Sequence, residues 1–372
     1  MKKVLIFPSF DNFGGTRTYF KNLIEFYRSN DFQITTAIER ESCDQDILEF
    51  LTRNDVKLLL LSKKYRAGIC SRYFVRAFID LILGVPIILK ERPDIVLIST
   101  GNARKYLGLM ILFPIKIIYI LHSYPICVKP AIFKQRLLLA ILNDNKRILT
   151  VSKFSKNQIT KCWLGEKKQK FVHVIYNFSM LESNLWDPIL PEKSDVKKIL
   201  TLGHVRWYKN PDIWYSVALK TIEKYHGDLE FLWVGEGNLL DKYRERAEKD
   251  NISQIKFLGF QKNVAGLYNQ SSIYFQPSLM ESHGIAVVDA MIMGLPCIVS
   301  NAGGLPESVV NGETGYITDP NDVETMVEKI LNLLEDENLR ENMGNAGKEY
   351  YIKKFSHKRW IQEMKTLHEE LE

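Results

Sequence analysis

Short apolar runs bounded by turn residues alternate along this chain with longer amphipathic stretches. In the first half the runs are Val4–Phe7, Ile34–Ala37, Lys57–Leu61, Ile95–Ser99, Ile117–Leu121 and Ile148–Val151. In the second half they are Ile199–Leu202, Leu229–Val234, Ile255–Phe257, Ile273–Phe275 and Cys297–Ser300. Continuous apolar strands that alternate with helical stretches predict parallel sheets covered on both faces. Each half is therefore expected to be a doubly wound, Rossmann-like α/β domain, the two facing each other across a cleft. Ligands of such sheets bind beyond the carboxyl ends of the strands, so the chemistry belongs in the loops that follow the apolar runs.

The stretch Leu107–Leu121 is the longest apolar one and is broken by Pro114 and Lys116. A membrane-spanning helix needs about 20 apolar residues, so the stretch reads as a helix end, then Pro114, then a buried strand. From Trp186 to Lys198 the apolar period disappears; Pro188 and Pro191 are followed by Glu192, Lys193, Ser194 and Asp195. That composition marks a linker. The expected organisation is a domain over 1–186, a linker over 187–198, a second domain over 199–347, and a C-terminal helix over 348–372. That helix carries Tyr350, Tyr351, Phe355 and Trp360 and is expected to pack back on the first domain.

The bulk composition adds limits. A length of 372 residues suits two domains at about 100–200 residues each. The net charge of +6 is modest; it fits an anionic ligand or membrane surface and gives no argument for nucleic acid. Cys43, Cys70, Cys127, Cys162 and Cys297 are scattered and never spaced as Cys-x-x-Cys. The expectation is no disulfide framework, no zinc site and a reducing, cytoplasmic setting. The apolar run after Met1-Lys2-Lys3 ends at Phe7-Pro8-Ser9, whereas a secretory signal needs about 7–15 apolar residues; it reads as a first strand.

Six segments carry unusual residues. Gln276-Pro277-Ser278-Leu279-Met280-Glu281-Ser282-His283-Gly284 follows a predicted strand and opens a helix that includes Asp289. The amides of Gly284, Ile285 and Ala286 would form a diphosphate site at that helix start. Glu281 and Asp289 could accept hydrogen bonds from hydroxyls at different ends of one ligand; acids that merely favour the helix dipole fit the same pattern. Gly203-His204-Val205-Arg206-Trp207-Tyr208-Lys209-Asn210 offers two cations, suited to the charge on a departing diphosphate or simply solvated. Asp11-Asn12-Phe13-Gly14-Gly15-Thr16-Arg17 can cradle phosphate, admit an acceptor or make a tight turn. His122 ends a strand and could bind a substrate hydroxyl or play a structural part. Gly235-Glu236-Gly237 would need a further glycine where Leu240 stands to be a dinucleotide fingerprint. Asp44-Gln45-Asp46 has the look of a metal-binding acid pair but reads as a helix start, so no metal is expected.

Taken together these loops resemble the retaining nucleotide-sugar glycosyltransferases of glycosyltransferase family 4, which have the GT-B fold. The order and spacing of Pro277, Glu281, Gly284, Asp289, Ala290, Gly294, Pro296, Ser300, Gly303-Gly304, Pro306, Glu307 and Gly315 carry the resemblance. It implies a donor-binding second domain and an acceptor-binding first domain. Glu281 would contact donor-sugar hydroxyls, Gly284, Ile285 and Ala286 the diphosphate or sugar, and Asp289 the ribose. Lys209 with Arg206 would hold the diphosphate, and His122 would face the sugar. Gly15 would lie under the phosphates, with Gly203, Ser282 and His283 on the donor side and Gly14, Thr16 and Arg17 on the acceptor side. Gly235 and the Gly259-Phe260 turn would border the base.

Two positions depart from the family pattern. Asp289 stands where the family usually has Glu, and His204 stands where its Arg commonly follows the glycine. The implied reaction passes through an oxocarbenium-like state, with same-face attack and no metal or other cofactor. The implied partners are a nucleotide diphosphate sugar and a glycan or lipid-linked acceptor. The basic–apolar stretches Lys63-Lys64-Tyr65-Arg66, Arg72 to Arg76 and Lys129 to Arg136 fit an anionic membrane at the inner face and equally fit solvated helix faces. A sugar-nucleotide epimerase or hydrolase, or a non-catalytic donor-binding partner, are the competing readings.

Overall fold

The computed structural model describes residues 1–10, 15–61, 73–102, 105–112, 114–127, 143–185 and 196–371. Gly14, Lys63, Lys64, Arg66, Arg72, the stretch Lys129 to Arg136 and linker residues 187–195 lie outside them. The chain divides into two compact units, Met1–Tyr176 with Ile361–Glu372, and Asn177–Trp360.

The first unit is built on a parallel seven-stranded sheet of order β3-β2-β1-β4-β5-β6-β7. Its strands are β1 (Lys3–Ser9), β2 (Gln33–Glu39), β3 (Lys57–Leu61), β4 (Ile95–Thr100), β5 (Lys116–Leu121), β6 (Lys146–Thr150) and β7 (Val172–Val174). Leu5, Phe7, Val96, Ile98, Ile117, Tyr119 and Ile148 are buried in one core cluster. That is why their stretches read as continuous apolar runs. The strand order reverses between β1 and β4, where Phe7 pairs with Ile98. The stretch before β5 is a 3-10 helix, Leu107–Ile111. The final residues of the chain belong to this unit: Tyr27 Oη lies 2.5 Å from His368 Nε2, and Arg147 Nη2 donates to Glu370 O at 2.9 Å.

The second unit has a parallel six-stranded sheet of order β10-β9-β8-β11-β12-β13. The strands are β8 (Lys197–Leu202), β9 (Leu229–Val234), β10 (Ile255–Gly259), β11 (Ile273–Gln276), β12 (Cys297–Ser300) and β13 (Gly315–Thr318). Trp214, Phe231, Trp233 and Phe257 make the aromatic part of its core. The order reverses between β8 and β11, paired through Ile199 and Ile273.

Two expectations need correction. The C-terminal segment is two helices, Glu337–Lys354 and His357–Glu369, rather than one beginning near 348. In the first of these helices a Cβ at Gly344 would lie 2.0 Å from Gly294 O; the glycine lets the helix approach backbone closely. Asp336 starts that helix by accepting from Leu339 N at 2.9 Å. The cysteines are also not all free. Cys127 and Cys162 form a disulfide, their Cα atoms 5.3 Å apart. No spacing motif announces a pair 35 residues apart. The adjacency of β5 and β6, after which the two cysteines come, brings them together.

Candidate active site

The site of the second unit lies at its strand-order reversal, where parallel sheets leave a crevice between diverging loops. The loop after β8 and the loop after β11 are joined through backbone: Leu279 N donates to Tyr208 O at 2.8 Å. That contact sets Lys209 against Glu281, with Lys209 Nζ 2.5 Å from Glu281 Oε2. Gln276 Nε2 donates to the same oxygen at 3.0 Å, and Gln276 Oε1 accepts from Tyr274 Oη at 2.7 Å. The amide of Ser282 reaches Glu281 Oε1 at 3.3 Å. Glu281 is thus aimed by its partners, and two charges that are mostly out of water neutralise one another.

Glycines shape the rest of this frame. A Cβ at Gly303 would lie 1.9 Å from Glu281 O, and Gly304 N donates to that oxygen at 2.9 Å. Gly235 is pressed on the loop after β8, since its Cβ would lie 2.2 Å from Gly203 O. The same Gly203 carbonyl accepts from Trp233 Nε1 at 2.9 Å. Gly284, with φ of 89°, turns the chain into the helix Ile285–Ile292. The amides of Gly284, Ile285 and Ala286 are those a helix start leaves without an intrahelical acceptor.

The remaining candidates fall into distinct surroundings. Arg206 is exposed, on the rim of the loop that buries much of Lys209. Phe260 is also exposed, and its amide donates to Glu236 Oε1 at 3.1 Å. The His283 ring is turned inward against Phe355, and burial with Lys354 nearby lowers its pKa to about 3. Asp289 is partly buried; burial pushes its carboxyl up to about 7, against the opposing hydrogen bond from Ser179.

In the first unit, Thr16 lies by the end of β4: its Cγ2 would be 3.7 Å from a Cβ at Gly101. Gly15 begins the helix Gly15–Ser29. Arg17 is committed elsewhere, reaching Asp44 at 2.6 and 2.7 Å and Asp46 at 2.6 Å. Asp44 in turn caps the helix Gln45–Arg53 by accepting from Ile47 N at 3.1 Å. His122 Nε2 is 3.0 Å from Ser99 Oγ, its ring packed edge-on to Tyr19. Burial lowers its pKa to about 4, so the imidazole is neutral near pH 7.

Sequence reading missed Gln276 and Ser179. Gln276 had a signal, a polar residue closing an otherwise apolar strand. Ser179 had none, since its partner Asp289 is 110 residues away.

Residues 182–350 match the family model for glycosyl transferases group 1. An uncharacterized glycosyltransferase of Methanocaldococcus jannaschii is 29% identical over 363 residues, 96% of this chain and 95% of that protein. The UDP-Gal:alpha-D-GlcNAc-diphosphoundecaprenol alpha-1,3-galactosyltransferase of Escherichia coli is 27% identical over 159 residues, 42% of this chain and 41% of that enzyme. Among solved structures, Anabaena Alr3699/HepE in complex with UDP and glucose superposes with a TM-score of 0.76 at 16% identity, covering 99% of this chain and 100% of that one. With two parallel-sheet units, the loops described above and the match over 182–350, the chain has a GT-B fold whose second unit is similar to the group 1 glycosyl transferases.

Proposed function

We propose that the chain transfers a sugar, with retention of anomeric configuration, from a nucleoside diphosphate sugar to a glycan or lipid-linked acceptor. The expected setting is surface polysaccharide or glycoconjugate synthesis at the cytoplasmic face of the membrane. The observation that carries the reading is the Lys209–Glu281 pair, 2.5 Å apart, which joins the loop after β8 to the loop that leads to the helix start at Gly284–Ala286. The three features suit two parts of one ligand: a cation and open amides for a diphosphate, and a carboxylate for sugar hydroxyls. UDP is the nucleotide to try first, because the Anabaena relative in fold holds UDP and glucose. A lipid-linked acceptor is supported by the diphosphoundecaprenol in the name of the Escherichia coli relative.

Lys209, Arg206 and the first-turn amides stabilise negative charge on the departing diphosphate. The acceptor attacks the same face that the diphosphate leaves, and the leaving oxygen takes the acceptor proton. Glu281 orients sugar hydroxyls and forms no covalent bond. His122 contributes a neutral imidazole to a substrate hydroxyl. Lys209→Ala is expected to lower kcat/KM by about 10²–10³. An α-linked donor should give α-linked product in EDTA. Inverted product, or activity abolished by EDTA, would sink the retaining metal-free reading. Donor consumption as fast without acceptor as with it would favour hydrolysis or epimerisation.

Membrane contact is supported by the helix Tyr73–Glu91. Asp80, Gly84 and Ile88 are buried on its inner face, while Phe78, Ile82 and Leu89 are 62%, 49% and 69% exposed at helical spacing on the other. No helix among the described residues is long and apolar enough to cross a membrane; an exposed apolar stripe suits contact with the bilayer surface instead. Ile82→Glu with Leu89→Glu should abolish flotation with anionic vesicles. Flotation unchanged by both substitutions would count against it.

A further inference from the structure

Beside the paired loops, a second polar group converges on the helix Ile285–Ile292. Ser179 Oγ donates to Asp289 Oδ1 at 2.5 Å. Ser179 is fully buried, and its hydroxyl cannot turn away. Leu181 N donates to Ser179 Oγ at 3.0 Å and takes one lone pair, and a hydroxyl has a single proton to give. That proton is directed at Asp289. The backbone of Ser179 is fixed as well, its amide donating to Tyr351 Oη at 3.1 Å. Tyr351 Oη donates to Glu182 Oε2 at 2.7 Å, and the same Glu182 oxygen accepts from His357 N at 2.8 Å. Asp289 Oδ2 makes no hydrogen bond among the described residues.

We propose that Ser179 is a positioning residue for nucleotide recognition: its hydroxyl grips one oxygen of the Asp289 carboxylate and thereby presents the other to the ribose hydroxyls of the donor. The proposal rests on the reading of Asp289 as the ribose ligand. It addresses the chain's departure from its family at this position. Asp is one methylene shorter than Glu and reaches less far, so its orientation matters more. A buried serine bonded to one oxygen restricts the carboxylate to a rotamer that a lone Asp would share with others.

The same bond favours the charged form of Asp289, which burial opposes. Tyr268, Tyr274 and Tyr351 are the titratable side chains around it, and burial pushes all three hydroxyls up, so they remain neutral. Glu182 bears on Asp289 only through Tyr351. Among the described residues no Lys or Arg pairs with Asp289.

The experiment is calorimetric titration of the full chain with UDP and with its 2′,3′-dideoxy analogue, from pH 5.5 to 9. For the wild type, UDP affinity should rise with pH as Asp289 ionises. Ser179→Ala should weaken UDP about tenfold near pH 7, the equivalent of one charge-assisted hydrogen bond. It should also move the midpoint of the pH dependence upward and leave dideoxy-UDP binding unchanged. Ser179→Thr, which keeps a hydroxyl, should recover most of the UDP affinity. If Ser179→Ala does not fold, Ser179→Cys, a weaker donor of similar size, should show the same shift in smaller measure. Loss of UDP and dideoxy-UDP binding together, with the pH midpoint unmoved, overturns the positioning role. Unchanged UDP affinity in Asp289→Asn at alkaline pH overturns the ribose reading itself.

Discussion

At the scale of single residues, the site depends on glycines as much as on charges. Gly303 has φ of 59° and a Cβ position 1.9 Å from Glu281 O, whereas Gly294, at φ of 77°, has nothing within 4 Å. Gly294→Ala should therefore cost about 1 kcal/mol, the left-handed backbone alone. Gly303→Ala must also displace the Glu281 backbone and should cost at least about 2 kcal/mol; chemical denaturation of the two variants measures the gap. Asp289 gives a prediction in pH. Its carboxyl is raised from 3.8 to about 7 in the folded chain. The folded state therefore binds the proton more tightly, and the stability this gives is complete below about pH 4 and lost as pH rises through 7. His122 and His283 are lowered to about 4 and 3, which acts in the opposite sense. They cancel in a difference: the Tm of Asp289→Asn minus that of the wild type should increase from pH 4 to pH 8. Glu281, Lys209 and Gly284 were readable because local motifs mark them. Their bonding was not, because Gln276, Tyr208 and Gly303 act through strand order and backbone approach.

At the scale of elements, the apolar runs corresponded to strands, because buried parallel strands leave little room for polar residues. The strands that escaped were β7, only three residues long, and β13, whose Gly315 hides its period. Gly315 stands there because a Cβ would lie 2.0 Å from Cys297 O. The acid pair Asp44 and Asp46 shows that a pattern suited to metal can serve a helix start. Asp44→Ala removes both the cap on Ile47 and the bidentate partner of Arg17, and should cost about 1–2 kcal/mol. Asp46 is the more exposed of the two, and its replacement by Ala should cost about 0.5 kcal/mol or less. Thermal melts of the pair test the difference.

At the scale of the whole molecule, the cysteines test the fold directly. With Cys127 and Cys162 joined, alkylation of denatured protein without reductant, followed by peptide mapping, should label Cys43 and Cys297 and leave Cys127 and Cys162 unlabelled. Labelling of Cys127 and Cys162 would mean the two stay reduced. Parallel topology also explains why the candidate site was only half readable: it brings together loops whose key residues, Lys209 and Glu281, are 72 positions apart. Leu279 is tied to Tyr208, Gly304 to Glu281, and Gly235 lies on Gly203, all through main chain. For anyone building chimeras, these ties define the smallest portable part. Exchanging the 277–284 loop alone with a homologue imports side chains but breaks the seams; residues 203–210, 235–237, 277–284 and 303–304 have to travel as one cassette.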